Sequence, residues 1–200
     1  MQRNNSPRIV VFFGLVASGK SALARQWAEC SGMAYYNSDI IRKELAGLLP
    51  KTSRRDSYSQ GIYTREFSQK TYNSLLEKAE WDLRQGFSVV LDASYHAQQE
   101  RRRVRELGER FGATVCFVYC TCSEQETRRR LDLRARDPEA VSDGTWLVYE
   151  GMKDNFEEPT ELSPDELIHF STENSLSALI GKLGAELEKR DCRSRDSNIC

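Results

Sequence analysis

The residues with the clearest chemical signature are Gly14 to Ser21, GLVASGKS, which follow the pattern G-x-x-x-x-G-K-[ST]. Glycines in such a loop let successive backbone N–H groups point at phosphate oxygens. The amine of Lys20 then reaches the β- and γ-phosphates, and the hydroxyl of Ser21 ligates Mg²⁺. The spacing predicts a phosphate-binding loop (P-loop) for a nucleoside triphosphate, with contacts from Gly14, Ala17, Ser18, Gly19, Lys20, Ser21 and Ala22.

The flanking residues supply the elements that a P-loop requires. Residues 9–13 form an unbroken apolar run, which predicts a buried parallel strand. Residues 21–28 have apolar side chains at helical spacing, and the positive end of that helix adds to the attraction for phosphate. The alternative is a chance turn rich in glycine and serine, and the strand and helix in register argue against it.

Two acidic residues stand where further predicted strands end. Asp39 follows the short strand 34–36, and Asp92 closes the apolar strand 87–92. Ligands gather at the carboxyl ends of parallel strands, so Asp92 is expected to meet Mg²⁺ or its waters, with an ordinary turn residue as the alternative. Asp39 lies one helical turn from Arg42. Asp39 is either a catalytic group or the helix N-cap, and these roles do not exclude each other.

Two observations concern the residues that follow Asp92. Ala93 and Ser94 occupy the place where a dedicated ATPase usually has a glutamate to polarise the attacking water, which favours transfer to a hydroxyl over hydrolysis. His96, in the next loop, is interpreted as a surface histidine, with contact to substrate as the alternative.

A basic helix is predicted between the fourth and fifth strands. Residues 123–126 have the form of a capping box, and Arg130 and Arg134 share a face of the helix that follows. Placed over the phosphates, two guanidinium groups would stabilise a transferring phosphoryl group. A second predicted cap at 142–144 completes a helical lid over about 123–155 that excludes water. The alternative is a basic helix exposed to solvent.

The remaining patterns complete one α/β domain, expected over residues 1–190, with about five parallel strands between two layers of helices. The polar segment 48–60 is interpreted as a mobile loop or short insertion. Residues 191–200 are expected to be disordered. The other predicted elements are helices at 63–84, 98–111 and 176–187 and strands at 113–120 and 167–170.

Composition sets the broad class. The chain has 200 residues and a formal net charge of -1, so nothing global favours a nucleic-acid partner. No apolar run approaches the ~20 residues that span a bilayer, and residues 1–7 are polar, so no membrane partner and a cytoplasmic location are expected. Six cysteines in a reducing compartment are interpreted as free thiols rather than disulfides or metal ligands.

With these residues placed, the chain resembles the P-loop kinases labelled AAA-domain ATP-binding proteins, whose relatives include polynucleotide 5′-kinases, zeta-toxin-like kinases and chloramphenicol phosphotransferase. It is most similar to a bacterial ATP-binding kinase domain that is often fused to aminoglycoside-phosphotransferase-like domains. The likeness covers about residues 9–187. Its motifs are GLVASGKS, SDIIRKELAG from Ser38, VVLDAS from Val89, R-L-x-x-R from Arg130 and FEEP from Phe156.

The resemblance implies specific roles and a nucleoside-kinase-like P-loop NTPase fold. Asp39 would take the proton of the acceptor hydroxyl, Arg42 would contact substrate, and Arg130 and Arg134 would be the lid arginines. The expected activity is ATP- and Mg²⁺-dependent transfer of the γ-phosphate to a hydroxyl of a small-molecule or nucleic-acid acceptor. The alternatives are a polynucleotide 5′-hydroxyl kinase and a slow ATPase that acts as a nucleotide-dependent switch. The sequence leaves the acceptor, the oligomeric state and the choice between ATP and GTP open.

Overall fold

The computed structural model describes residues 6–49, 61–137 and 144–196. Most of the polar segment predicted as a mobile loop, residues 50–60, lies outside the described residues. The elements in chain order are β1 (Arg8–Phe13), α1 (Lys20–Ser31), β2 (Ala34–Asn37), α2 (Ser38–Leu45), a 3-10 turn (Gly61–Tyr63), α3 (Arg65–Arg84), β3 (Val89–Asp92), α4 (Gln98–Phe111), β4 (Thr114–Thr121), α5 (Glu124–Ala135), α6 (Trp146–Asp154), β5 (Leu167–Ser171) and α7 (Leu176–Asp196).

The five strands form one parallel sheet in the order β2-β3-β1-β4-β5. Strand β1 is central, and its residues 9–13 have no exposed surface. Along the chain the strands lie first on one side of β1 and then on the other, so the carboxyl end of β1 is a topological switch point where ligands bind in open α/β sheets. Asp92 pairs in register with Phe12 on one side and with Asn37 on the other, which places all three strand ends at this edge.

Alternate side chains of β1 enter opposite apolar layers. Val11 packs in a layer with side chains of α3 and α4, and Val10 packs in a layer with side chains of α1 and α7. Complete burial of one such side chain contributes about 1.5–3 kcal/mol before the entropy of ordering is subtracted. The predicted three-layer α/β/α sandwich with a five-stranded parallel sheet is confirmed.

The last helix differs from the sequence prediction. Helix α7 continues to Asp196, beyond residue 187 where the sequence predicted its end, and residues 197–200 lie outside the described part of the chain. Apolar periodicity marks only the part of a helix that packs, whereas lysine, arginine and glutamate extend an established helix without it. No helix within the described residues is both long and apolar enough to cross a membrane.

Candidate active site

The loop between β1 and α1 has the backbone that a phosphate cradle needs. Gly14, Ala17 and Gly19 all have positive φ, at 136°, 61° and 85°. A Cβ on Gly14 would lie 2.4 Å from the carbonyl oxygen of Cys120, so only glycine fits between this loop and β4. Ala17 is the one of the three with a side chain, and this conformation costs roughly 1–2 kcal/mol for such a residue.

Helix α1 presents its amino terminus to this loop. It begins at Lys20 after Gly19, with no side-chain cap on its first N–H groups and no acidic residue in its first turn. The Lys20 ammonium makes a weak contact of 3.4 Å with the carbonyl oxygen of Leu15. These N–H groups and the ammonium form a site that suits phosphate oxygens.

Asp92 is fully buried, and its two carboxylate oxygens differ in their contacts with the described residues. Its Oδ2 accepts hydrogen bonds from the Tyr35 hydroxyl and from Asn37 Nδ2, both at 2.6 Å. Its Oδ1 accepts no hydrogen bond from a described residue. Burial raises the pKa of this carboxyl, and the nearby Lys20 charge and the hydrogen bonds act in the opposite direction. Both donors lie on β2, the strand that pairs with β3. Strand β2 therefore determines that Oδ1, and not Oδ2, is available to a ligand.

The residues present fit Mg²⁺, a hard cation that binds oxygen ligands. Ser21 lies beside Asp92, close enough to lower the pKa of its carboxyl. No group of three or more His, Cys, Asp or Glu side chains within the described residues could hold a metal ion by itself. One carboxylate and one hydroxyl, completed by phosphate oxygens and waters, match the way Mg²⁺ binds together with a nucleotide.

Asp39 is free of the capping role that the sequence left open. Asn37 caps α2, because its Oδ1 accepts from the backbone N–H groups of Asp39 and Ile40, each at 3.0 Å. The half-buried carboxylate of Asp39 makes no hydrogen bond or ion pair with a described residue, although its charge acts on Arg134. Among the described residues, no donor or cation therefore engages the carboxylate of Asp39 directly.

One groove of about 550 Å³ joins most of the predicted site residues. Its lining includes Lys20 and Ser21 of α1, Asp39 of α2, and Arg130 and Arg134 of α5. Leu133, Leu176 and Leu179 add apolar surface that suits the base of a nucleotide. The lining residues are Ala17, Gly19, Lys20, Ser21, Ala22, Arg25, Asn37, Asp39, Arg130, Leu133, Arg134, Asp137, Thr172, Asn174, Leu176 and Leu179.

The two lid arginines are held in different ways. Arg130 donates to Glu126 Oε1 at 2.7 Å, to the carbonyl oxygen of Ala17 at 3.2 Å and to Thr172 at 2.8 and 3.0 Å. Arg134 makes no hydrogen bond with a described residue. Its partial burial lowers the pKa of its guanidinium, and the negative charge of Asp39 acts in the opposite direction. Arg130 thus ties α5 to the P-loop, whereas Arg134 presents its donors to the groove.

The lid packs on the P-loop through apolar contacts as well. Val16 and Ala17 form a small buried cluster with Leu131 of α5 and Tyr149 of α6. The predicted cap of α6 at 142–144 is wrong in its position: the N-cap is Thr145, whose hydroxyl accepts from the N–H of Val148, and residues 142 and 143 lie outside the described residues. The predicted cap of α5 at Ser123 is confirmed.

The structure does not bring Arg42 into this groove. Its guanidinium is buried and donates to the carbonyl oxygen of Ile62 at 2.7 Å and to Ser68 Oγ at 3.1 Å. It also lies 4.9 Å from the ring centroid of Tyr63. Helix α2 packs against α3, so the Arg42 side chain, one turn after Asp39, meets a carbonyl oxygen and a hydroxyl of the protein instead of open space.

Sequence analysis missed two residues that shape the site. Tyr35 and Thr172 carry no motif; the Thr172 hydroxyl is buried and donates to the carbonyl oxygen of Ser18 at 2.6 Å. The signal that could have identified Thr172 is a polar residue directly after an apolar strand.

His96 is not a surface histidine: it is half-buried, and burial lowers the pKa of its imidazole.

Solved kinase structures have the same fold. A sugar kinase from Janibacter sp. HTCC2649 has a TM-score of 0.67 and 20% identity, covering 91% of this chain and 95% of that chain. The Mycobacterium tuberculosis APS kinase CysC, in complex with AMPPNP and APS, has a TM-score of 0.63 and 21% identity, covering 92% and 98%. Kti12 from Chaetomium thermophilum, in complex with ADP-AlF3, has a TM-score of 0.63 and 17% identity, covering 90% and 98%. At these identities the likeness shows a P-loop kinase fold.

Sequence comparison adds the family. The uncharacterized proteins Rv2004c of Mycobacterium tuberculosis (strain ATCC 25618 / H37Rv) and Mb2027c of Mycobacterium bovis are each 28% identical over 128 residues, which is 64% of this chain and 26% of theirs. The chain therefore spans about a quarter of the length of these curated relatives. The AAA domain model AAA_33 matches residues 9–159, from β1 to the exit of the lid. The chain belongs to this AAA domain family of P-loop proteins.

Proposed function

We propose that this protein is a kinase that uses ATP and Mg²⁺ to phosphorylate a hydroxyl of a small molecule. The observation that carries the proposal is the carboxylate of Asp39, which has no hydrogen-bond or ion-pair partner among the described residues and lines the same groove as Lys20 and Ser21. A protein that only bound or slowly hydrolysed nucleotide would not need a free base beside the phosphates. Kinase folds among the structural neighbours support the same reaction class.

Each residue has a defined part in the proposed transfer. The P-loop N–H groups and Lys20 bind the phosphates, while Ser21 and Asp92 Oδ1 would hold Mg²⁺. Bound there, Mg²⁺ neutralises charge on the β- and γ-phosphates. The acceptor oxygen forms a bond to the γ-phosphorus as the bond to the β-bridging oxygen breaks, so ADP leaves. The hydroxyl proton passes to Asp39, which later releases it to water.

The two lid arginines divide the remaining work. Arg134 has guanidinium donors that no described residue uses, so it suits the charge that develops on the transferring group. Arg130 already has protein partners on both the P-loop and Thr172. Its proposed role is to hold α5 closed over the phosphates.

A small-molecule acceptor is favoured over a polynucleotide by the pairing of the arginines. Binding of a phosphate backbone needs cations that are free to replace counterions. Instead, most arginines of α4 and of the first turns of α5 form ion pairs with glutamates. These pairs are Arg101–Glu161, Arg102–Glu106, Arg103–Glu100, Arg105–Glu166, Arg128–Glu124 and Arg129–Glu126.

The test is transfer of label from [γ-³²P]ATP across an acceptor panel of D-gluconate, shikimate, adenosine 5′-phosphosulfate, chloramphenicol and a 5′-hydroxyl oligonucleotide. We expect label in one small-molecule class, lost in Asp39→Asn with ATP binding retained, and lost in Lys20→Ala. Asp132→Asn, on the exposed side of α5, is the matched control and should keep full transfer.

Other outcomes contradict the proposal in distinct ways. Label only in the oligonucleotide, with activity that falls steeply with salt, would identify a polynucleotide kinase. Label released only as free phosphate would identify a slow ATPase and favour the switch. Full transfer by Asp39→Asn would remove Asp39 as the base.

A further inference from the structure

The loop between β3 and α4 is held at its backbone on several sides. The carbonyl oxygen of Ser94 accepts from the N–H of Gly14 in the P-loop at 3.2 Å. The N–H of Tyr95 donates to the Tyr72 hydroxyl at 3.1 Å, and the carbonyl oxygen of His96 accepts from the N–H of Glu157 at 2.9 Å. The P-loop, α3 and the exit of the lid therefore all fix this short loop.

Its conformation is strained as well as fixed. Tyr95 has a φ of 42°, a region that costs a residue with a side chain roughly 1–3 kcal/mol. Its carbonyl oxygen accepts at 2.8 Å from Arg101, a fully buried side chain that forms two hydrogen bonds with Glu161, at 2.5 and 3.1 Å. Strain of this kind persists only where the surroundings over-determine the backbone, and it concentrates at functional sites.

A chain of hydrogen bonds then orients the one imidazole in the loop. The Tyr72 hydroxyl lies 3.1 Å from Ser94 Oγ, which lies 3.3 Å from His96 Nδ1. Tyr72 already accepts from the Tyr95 N–H, so its own hydrogen must be donated, and Ser94 Oγ is the acceptor beside it. Ser94 then donates to Nδ1. The reverse order would leave a fully buried tyrosine hydrogen unused, at a cost of about 1–3 kcal/mol.

This order fixes the imidazole tautomer. With Nδ1 accepting, the proton of the neutral ring is on Nε2. Burial, the largest influence, lowers the pKa of His96, with Arg101 and Arg42 acting in the same direction and Glu157 in the opposite one, so the ring is neutral near pH 7. Nε2 makes no hydrogen bond with any residue in the described ranges.

We propose that His96 binds the phosphoryl acceptor, with Nε2–H donating a hydrogen bond to a second oxygen of that molecule. The inference rests on the proposed kinase function. The substrate class it implies is a compound with at least two neighbouring oxygens, one attacked and one bound by His96. Most buried ring nitrogens are paired, whereas in His96 Ser94 supports Nδ1 and no described residue pairs with Nε2.

The place in the fold supports the assignment. His96 follows β3, and Asp39 follows β2, and these two strands are neighbours whose ends are in register. The loop that carries His96 is hydrogen-bonded to the P-loop through Gly14 and Ser94. Both residues therefore follow strand ends at the edge of the sheet that carries the P-loop. Because His96 is not among the residues that line the groove of Asp39 and Lys20, the acceptor would have to extend from that groove to reach Nε2.

The first experiment reads the tautomer and needs no acceptor. The chain has two histidines, so ¹⁵N-histidine labelling and long-range ¹H–¹⁵N NMR, with His169→Asn for assignment, resolve each ring. We expect an Nε2–H tautomer for His96 at pH 7.5, and a mixture of tautomers in Ser94→Ala. An Nδ1–H tautomer in the unmodified protein would overturn the inference whatever the enzyme phosphorylates.

The second experiment uses whichever panel compound takes up label. His96→Asn should raise the KM for that compound about 10-fold and leave the KM for ATP unchanged, because one hydrogen bond to the acceptor is lost. His96→Gln should recover most of the affinity, since its amide N–H reaches the position of Nε2 whereas that of asparagine reaches only Nδ1. An unchanged acceptor KM in His96→Asn contradicts the proposal. No label in any compound contradicts the kinase function, and with it the acceptor contact.

Discussion

The hydroxyl of Tyr35 donates to Oδ2 of Asp92 across the pair of strands β2 and β3, at 2.6 Å. Asn37 donates to the same oxygen, so Oδ2 has two donors, whereas the buried Oδ1 has no partner in the described part of the chain. An edge strand thus orients the group that is proposed to hold Mg²⁺. Residues in this position commonly affect metal affinity almost as strongly as the ligands do.

Tyr35→Phe should weaken the response to Mg²⁺. Loss of this hydrogen bond frees the Asp92 carboxylate to rotate, so we expect the Mg²⁺ concentration for half-maximal ATP turnover to rise about 10-fold. Tyr36→Phe is a matched control on the same strand, because its hydroxyl donates to Asp82 and not to the site. Equal Mg²⁺ dependence in both variants would contradict an orienting role for Tyr35.

The buried Asp92 should make stability depend on pH in the absence of Mg²⁺ and nucleotide. Burial raises its pKa above the ordinary value of 3.8, so the folded protein holds this proton at pH values where the unfolded chain has lost it. The free energy of unfolding should therefore fall as pH rises from about 4, through the raised pKa of the folded state.

Asp92→Asn lacks this group and provides the comparison. The free energy of unfolding of both proteins is measured in urea between pH 4 and 7.5. As pH rises, that of the unmodified protein should fall relative to that of Asp92→Asn. Parallel pH profiles would show that Asp92 does not titrate differently in the folded and unfolded states. Asp92→Asn should also lose Mg²⁺-dependent turnover.

Gly19→Ala should lose nucleotide binding, whereas Gly32→Ala should not. Both glycines have positive φ, at 85° and 68°, so both substitutions carry a backbone cost of about 1 kcal/mol. At Gly32 the new Cβ meets nothing within 4 Å, but at Gly19 it lies 2.7 Å from Arg130 Nη1 and 2.8 Å from Thr172 Oγ1.

The P-loop or the lid must therefore shift in Gly19→Ala. Calorimetric titration with ATP should show at least about a 10-fold loss of affinity in Gly19→Ala and no change in Gly32→Ala. Because both substitutions carry the same backbone cost, the two variants should have similar midpoints of urea unfolding. Equal ATP affinity in the two variants would mean that the contact between Gly19, Arg130 and Thr172 does not shape the cradle.

Arg134→Gln and Arg130→Gln should separate catalysis from lid closure. Arg134 has no hydrogen bond among the described residues, so its loss should lower kcat about 100-fold and leave Tm unchanged. Arg130 bonds to Glu126, Ala17 and Thr172, so its loss should also lower Tm, by roughly 2–8 °C.

The control for both is Arg129→Gln on the exposed face of α5. Hydrogen bonds from Arg129, and after it Arg130, lower the pKa of Glu126 to about 2, so this carboxylate keeps a partner when Arg129 is removed. We expect unchanged kcat and Tm in Arg129→Gln, by differential scanning fluorimetry and steady-state kinetics. A Tm loss in Arg134→Gln as large as that in Arg130→Gln would contradict the division of roles.

The sequence alone determined the parts of this protein that depend on local chemistry. The sequence reveals the P-loop, the strand that precedes Asp39, the strand that ends in Asp92 and the arginine pair on α5, because backbone torsions, apolar periodicity and helical spacing act over a few residues. Since parallel strands bring their carboxyl ends to one edge, these motifs also predicted which residues would meet.

Only the tertiary structure decided which side chains engage one another. Asn37, not Asp39, caps α2; Arg42 bonds to the 3-10 turn and α3 instead of entering the groove; and His96 is fixed through Ser94 by a tyrosine of α3. The Asn37 cap is a local interaction that the sequence could have offered, but the partners of Arg42 and His96 come from other elements, and no local pattern records them. Strand order and helix packing set these distances, because a buried polar group is stable only beside a partner that the fold brings to it.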